Sequence, residues 1–233
     1  MMPTQPQIAF IIPTTSNKRE WKRAQDSLLY VSLQSFYKTK SNGYKYKFFI
    51  GHDYDDPFYT NKVKMIISDE FSSSYVDIEF FDLRVEKGHV TKMWNILADK
   101  ALQWGADYLY QCGDDISYSQ SGWLEECVNT LSSHGNLGLT GPKNINGNTH
   151  ILTQSFVHRS HVEKLGYFFP EEIRNWYCDD WINGIYRNIG CHYAISNNLY
   201  CANLGGAERY NIVRCSELCK QLVSRDSTKL ISI

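Results

Sequence analysis

A chain of 233 residues suits one α/β domain, and a domain of that size buries roughly 70% of its unfolded surface, enough to hold together without disulfides. With 24 basic and 25 acidic side chains and a formal net charge of -1, it lacks the positive excess that a broad nucleic-acid face needs, so a small, locally bound anion is the expected ligand. The seven cysteines are odd in number and include no C-x-x-C pair, which argues against a disulfide framework or a zinc site and for ordinary thiols in a reducing, cytoplasmic setting.

The opening MMPTQPQ has no basic region followed by an apolar stretch, so no secretory leader is expected, and no apolar run approaches the roughly 20 residues of a spanning helix. Ile8 to Ile12 is apolar on both faces and reads as a central strand, ended by Pro13-Thr14-Thr15-Ser16-Asn17. Asn17 and Glu20 stand in capping-box spacing, and Trp21, Ala24, Leu28, Val31 and Ser35 form one stripe, predicting a long helix there. On that helix Lys18, Arg19, Lys22 and Arg23 read as a solvated first turn. A second strand is predicted over 45–50, a short helix over 58–68, a strand over 76–83 and a helix over 90–104. A strand over 107–112 then runs into Gly113-Asp114-Asp115.

Beyond it the pattern predicts a helix over 123–131, a strand over 137–140 and an extended stretch over 151–157. Last come a helix over 181–189, a strand over 192–196 and a helix over 207–223. Residues 1–223 are expected to form a single domain, with 224–233 as a flexible tail. Strand and helix alternate through the first half, which predicts a mostly parallel central sheet flanked by helices. In such sheets ligands sit beyond the carboxyl ends of the strands, where each polar cluster of this sequence falls.

Two adjacent carboxylates after a buried strand are costly unless a cation pairs with them, and a divalent metal does so while also accepting substrate phosphates. The alternative for Asp114 and Asp115 is an ordinary Asp- and Gly-rich turn. Gly-Asp-Asp also occurs in viral RNA polymerases, but those need a far longer chain and a basic template channel. In Trp176-Tyr177-Cys178-Asp179-Asp180-Trp181, one aspartate suffices to cap the helix that follows; two among aromatic rings suit a sugar site with a carboxylate as general base. Lys87, His89, Lys92 and Asn95 lie near a helix N-terminus, where a diphosphate would be favoured, although for this group alone a solvated face is the better account. Asp53 and Asp55 end the second strand beside Pro13, Thr14 and Thr15, and jointly outline a pocket for a base and ribose.

The order of these motifs resembles GT-A glycosyltransferases of the family-2-like kind, over residues 8 to 206. Ile8 to Thr15 is similar to their opening strand and P-T loop, and Asp53 stands where a second-strand Asp meets the base. Lys92 and Asn95, in T-K-M-W-N, resemble the A-R-N helix start, and Gly113-Asp114-Asp115 stands at the D-x-D metal position. Cys178-Asp179-Asp180-Trp181 stands at the late E-D motif that supplies the base. Two departures stand out: Gly113 replaces the first Asp, and Asn203, before Gly205-Gly206, stands in place of a metal-binding His.

The resemblance implies a GT-A, Rossmann-like fold and a metal-dependent transfer of sugar from a nucleoside diphosphate, by family analogy a UDP-sugar, to a glycan, glycoprotein or other hydroxyl acceptor. Asp115, Asp114 and Asn203 would hold manganese or magnesium. Pro13, Thr14, Thr15, Asp53, Asp55, Lys92, Asn95 and Asp114 would bind the donor, and Gln154, His158 and Trp176 would line the acceptor side. Asp180 would act as the base of an inverting transfer, with Asp179 in reserve. Two other classes share parts of this pattern. A sugar-nucleotide nucleotidyltransferase would carry a Gly-rich loop where Pro13-Thr14-Thr15 stands, and a non-catalytic nucleotide-sugar or glycan-binding domain would have no need of the paired carboxylates.

Overall fold

The computed structural model describes residues 5–206 and 208–231. Strands β1 (Gln7–Thr14), β2 (Lys45–Asp53), β3 (Val76–Leu83), β4 (Tyr108–Gln111), β6 (Leu139–Thr140) and β8 (Ser155–His158) form a six-stranded sheet in the order β3-β2-β1-β4-β8-β6. The first four pair in parallel, and β8 runs antiparallel to both β4 and β6. A smaller sheet, β5-β9-β7, is built from β5 (Ile116–Tyr118), β7 (Lys143–Asn144) and β9 (Tyr200–Asn203). The mixed α/β class with a mostly parallel sheet is as the sequence predicts.

Helices cover both faces of the large sheet. The alternation along β1 sends Ile8, Phe10 and Ile12 into one core and Ala9 and Ile11 into the other, all fully buried, which is why this segment reads as continuously apolar. On the first side lie α1 (Leu28–Thr39), α2 (Asn61–Phe71) and α4 (Trp123–Ser133). Phe10 is the hub there, stacked on Phe48 at 4.4 Å and edge-on to Phe36, Tyr110 and Trp123. On the second side lie α3 (Val90–Trp104), α5 (Ser160–Leu165), α6 (Cys178–Asn188) and α7 (Ser216–Ile231). The bounds of β3 and α3 match the sequence expectation residue for residue.

Other boundaries differ, for local reasons. The helix expected after Asn17 starts only at Leu28, because Asn17 does not cap it: its amide donates to the Arg209 carbonyl across the fold. Asp26 instead accepts from the backbone of Lys22 and Arg23, closing a short 3-10 turn, and Ser27 accepts from the Tyr30 backbone as the true N-cap. Val31, placed on the buried stripe by spacing, is exposed, and Leu29, Leu33 and Phe36 face the core. The expected strand over 192–196 reduces to a bridge between Leu139 and His192, since Glu126 draws the Ser196 backbone and hydroxyl away at 2.6 and 2.8 Å. Ala207, Ser232 and Ile233 of the expected last helix and tail lie outside the described residues, as do Met1 to Thr4. Residues 224–231 continue α7, with Asp226 and Leu230 buried. Among the described residues no helix is long and apolar enough to cross a membrane.

Candidate functional site

The chain runs from β1 outward through β2 to β3, then returns to place β4 on the other side of β1. That reversal opens a crevice at the carboxyl ends of β1 and β4, the place where open α/β sheets bind ligands. A cavity of about 680 Å³ lies there. Its walls are Pro13, Thr14 and Thr15 from the end of β1, Asp115 from the turn after β4, and Asp179 and Asp180 from the start of α6. Trp176 stands at its edge, 48% exposed, and Asn203 and Arg209 close the side nearest Asp115.

The turn after β4 is shaped by its glycine. A Cβ on Gly113 would sit 2.5 Å from the Asp115 carboxylate, so glycine at this position makes room for that carboxylate to fold back. Pairing of Ile116 with Asn203, and the Leu204 amide donating to the Asp115 carbonyl at 2.7 Å, bring β9 against this turn. Asn203 therefore stands beside Asp115. Burial first, and the adjacent Asp114 second, push the Asp115 carboxyl up to about 6.

Asp114 points the other way. It is 2% exposed, accepts from the Thr14 hydroxyl at 2.5 Å, and is gripped at 2.8 and 2.7 Å by both ends of the Arg209 guanidinium. It does not line the cavity, so its expected roles in donor and metal binding are not what the structure places there. The cavity nevertheless suits a divalent cation in part. Asp115 offers a carboxylate and Asn203 an amide oxygen, which already accepts from the Gly205 amide at 2.6 Å. Among the described residues no group of three or more His, Cys, Asp or Glu stands together as a metal cage. Magnesium or manganese held here would take its remaining oxygen ligands from donor phosphates and water, as magnesium sites commonly do.

The Asp179-Asp180 segment is held by unusual backbone. Tyr177, the N-cap of α6, lies in the left-handed region at φ 74°, and no side chain caps the helix. A bulky residue there costs on the order of 1–3 kcal/mol, supplied by surrounding contacts. Asn175 makes many of them: its amide donates to the Gly88 and Asn211 carbonyls, both at 3.1 Å, and its oxygen accepts from the Trp176 and Val213 amides. Both aspartates lie in the first helical turn rather than at the cap, so neither is there to cap the helix. Burial, then the neighbouring Asp180, raise the Asp179 carboxyl to about 7. The folded state thus keeps a proton that the unfolded chain releases from about pH 4. This contribution to stability is complete below that pH and lost as pH rises through 7. Asp179→Asn, which cannot ionise, is expected to melt above wild type at pH 8, with the gap closing toward pH 4. A gap that does not change with pH in thermal melts would mean that the carboxyl is not desolvated.

Several expected site residues stand elsewhere. Lys92 reaches toward Glu171 at 3.7 Å, and Asn95 is spent on the Phe168 and Phe169 backbone, accepting at 3.1 and 2.8 Å and donating at 2.9 Å. Helical spacing fixed their common face, but that face meets the 168–171 segment and not the cavity. Asp55 pairs with Lys87 at 2.8 Å on the surface. Asp53 sits behind the wall, accepting from the hydroxyls of Tyr210 and Thr15. Because β8 is antiparallel to β4, His158 pairs with Tyr108 at the far end of the sheet. Gln154 is buried and accepts from the Cys201 thiol at 3.1 Å. Ile151 and Thr153 line the cavity in their place.

Other lining residues were not anticipated. Arg19, expected on a solvated helical turn, faces the cavity, and Arg209 and Tyr210 bring a strap back over the ends of β1 and β2. Their nearest sequence signal is position, just after Gly205-Gly206, whose φ values of 77° and 132° allow the chain to turn. All seven cysteines are free, and Cys178 alone among them lines the cavity.

Neither a protein family nor a curated protein matches the sequence. Solved structures match the fold. Residues 1–349 of TarS from S. aureus, in complex with UDP, share it with a TM-score of 0.64 at 13% identity, over 94% of this chain and 65% of that one. The same segment in complex with UDP-GlcNAc gives a TM-score of 0.65 at 13% identity, over 96% of this chain and 66% of that one. The longer TarS structure gives 0.61 at 14% identity, over 97% of this chain and 44% of that one. The chain therefore spans less than two thirds of the length of each, and what it has in common with them is the GT-A fold.

Proposed function

We propose that this chain is a glycosyltransferase that moves a sugar from a nucleoside diphosphate, a UDP-sugar first among candidates, to a hydroxyl of a glycan or similar acceptor. One observation carries this reading: a single cavity at the switch point of the sheet gathers the Pro13–Thr15 loop, the Asp115 turn and the Asp179-Asp180 helix start. The TarS structures, which hold UDP and UDP-GlcNAc on the same fold, support the choice of donor class.

On this reading Thr14, Thr15 and Asp115 face the nucleotide, and Asp180, exposed on the opposite wall, faces the acceptor. Asp180 takes the proton of the attacking hydroxyl while that oxygen approaches the face of the sugar opposite the departing diphosphate, which gives inversion. Asp179, carrying its proton up to about 7, keeps a second full negative charge from crowding Asp180 below that pH. Trp176 offers an exposed ring on which an acceptor sugar can stack. Magnesium or manganese, held by Asp115 and Asn203, would supply positive charge for the leaving group when bound.

A thermal-shift panel of nucleotide sugars and nucleoside diphosphates, with manganese or with chelator, tests the reading. A UDP-sugar is expected to raise the melting temperature most, and manganese to add to that rise. Asp115→Ala should abolish the manganese-linked part and leave the remainder. A panel in which no nucleotide or nucleotide sugar shifts the melt would sink the donor assignment; an Asp115→Ala protein with its manganese effect intact would sink the metal site.

A further inference from the structure

We propose, on the nucleotide-sugar reading of the cavity, that Arg209 is the cation that binds the donor's diphosphate, and that Asp114 is a positioning residue for Arg209 and not a metal ligand. The site would then select nucleoside diphosphates over monophosphates.

The geometry is that of a built anion site. Asp114 is almost wholly buried and fixed from behind by Thr14, whose hydroxyl in turn lies 2.6 Å from the buried Tyr59 hydroxyl. The Arg209 fork meets both Asp114 oxygens at 2.8 and 2.7 Å, an arrangement that orients the guanidinium plane as well as its charge. Two N–H groups serve Asp114, which leaves three of the five for a second anion. Arg209 lines the cavity together with Thr14 and Asp115, and the chain is held at its carbonyl and at the residue that follows. Asn17 donates to the Arg209 carbonyl, and the Tyr210 hydroxyl donates to Asp53. A Trp21 ring 5.9 Å from the guanidinium carbon completes its setting.

Arg19 enters the same cavity, and Gly206 makes space for it, since a Cβ there would run into the Arg19 guanidinium. Two guanidiniums thus face one volume, with the Asp114 and Asp115 carboxylates acting on both. A diphosphate, with oxygens on two phosphorus atoms, spans such a pair better than a single phosphate. A charge held in place before the ligand arrives needs no reorganisation as the leaving oxygen becomes anionic. Asp114 thus contributes through Arg209, which explains why the first carboxylate of the turn is buried while the second faces the ligand.

Isothermal calorimetry on the full chain, with uridine, UMP, UDP and inorganic pyrophosphate, each with manganese or chelator, tests this. Wild type should bind UDP well above UMP and uridine. Arg209→Gln should lower UDP and pyrophosphate affinity roughly ten- to hundredfold, the scale of hydrogen bonds to charged groups, and leave uridine unchanged. Arg209→Lys should recover part of that loss. Asp114→Asn should show the same phosphate-selective loss while the manganese increment persists. Because Arg209→Gln strands a buried carboxylate, the paired Arg209→Gln, Asp114→Asn protein serves as the folded control, and it too should fail to prefer UDP. Retained UDP preference in that pair, or a manganese increment lost with Asp114→Asn and kept with Arg209→Gln, would overturn the assignment. Pyrophosphate binding that needs Arg209, in a protein that ignores uridine nucleotides, would keep Arg209 as an anion site and remove the nucleotide reading. A wild type that binds neither removes both.

Discussion

Asp180→Asn is expected to lower sugar transfer by roughly 10²–10⁴-fold while the fold and donor affinity persist. The side chain projects from the first turn of α6 into the cavity and does not cap the helix, whose N-cap is the left-handed Tyr177. The only structural loss is its interaction with the helix dipole, about 0.3–1 kcal/mol for an exposed first-turn carboxylate. Rate and stability are therefore separable here. Steady-state transfer, beside urea unfolding of the same preparation, gives both. A variant with wild-type turnover would remove Asp180 as the base, and a collapse confined to Asp179→Asn would exchange the two roles. Activity in both variants would remove the carboxylate-assisted inverting mechanism altogether.

Trp181→Ala, one residue further on, is expected to cost about 3–5 kcal/mol of stability, a large share of the roughly 5–15 kcal/mol that holds a typical domain. Its ring is fully buried against His161, Tyr167 and Phe169, and its indole N–H donates to the buried Asp226 of α7 at 3.2 Å. Truncation opens a cavity between α6 and α7 and removes one donor from a carboxylate that keeps Arg225 and Lys229. Trp176→Ala is the counterpart: at 48% exposure it should change stability by no more than about 0.5 kcal/mol and raise the KM for acceptor. Urea midpoints for the two variants make the comparison. A loss below about 1 kcal/mol for Trp181→Ala would contradict its place in the core.

The aromatic-acidic segment thus divides between site and scaffold in a way its spelling does not reveal. Trp176, Asp179 and Asp180 face the cavity, whereas Trp181, the next residue along, belongs to the second core. Helical periodicity groups Trp181 with Ile182, Ile185, Tyr186 and Ile189, of which the first four are buried and Ile189 is half-buried, so most of that face is legible in the sequence.

The β-α alternation, the parallel half of the sheet, the spans of β3 and α3, and the strand ends at which Pro13 to Thr15 and Asp115 stand are legible in the residues alone. These follow from local signals, since burial on both faces leaves an apolar run and a helix leaves a 3.6-residue period. Which faces and ends point at one another depends instead on contacts between segments far apart in the chain. Lys92 and Asn95 share a helix face whose destination is set by the 168–171 segment. His158 left the site because β8 reverses direction, and Asp114 left it because Arg209, 95 positions along the chain, closes on it. Tyr210 reaches Thr15 across 195 positions. No local period encodes such meetings; they depend on how a Gly-Gly turn redirects the chain once the sheet has formed, and there the charge of the site is settled.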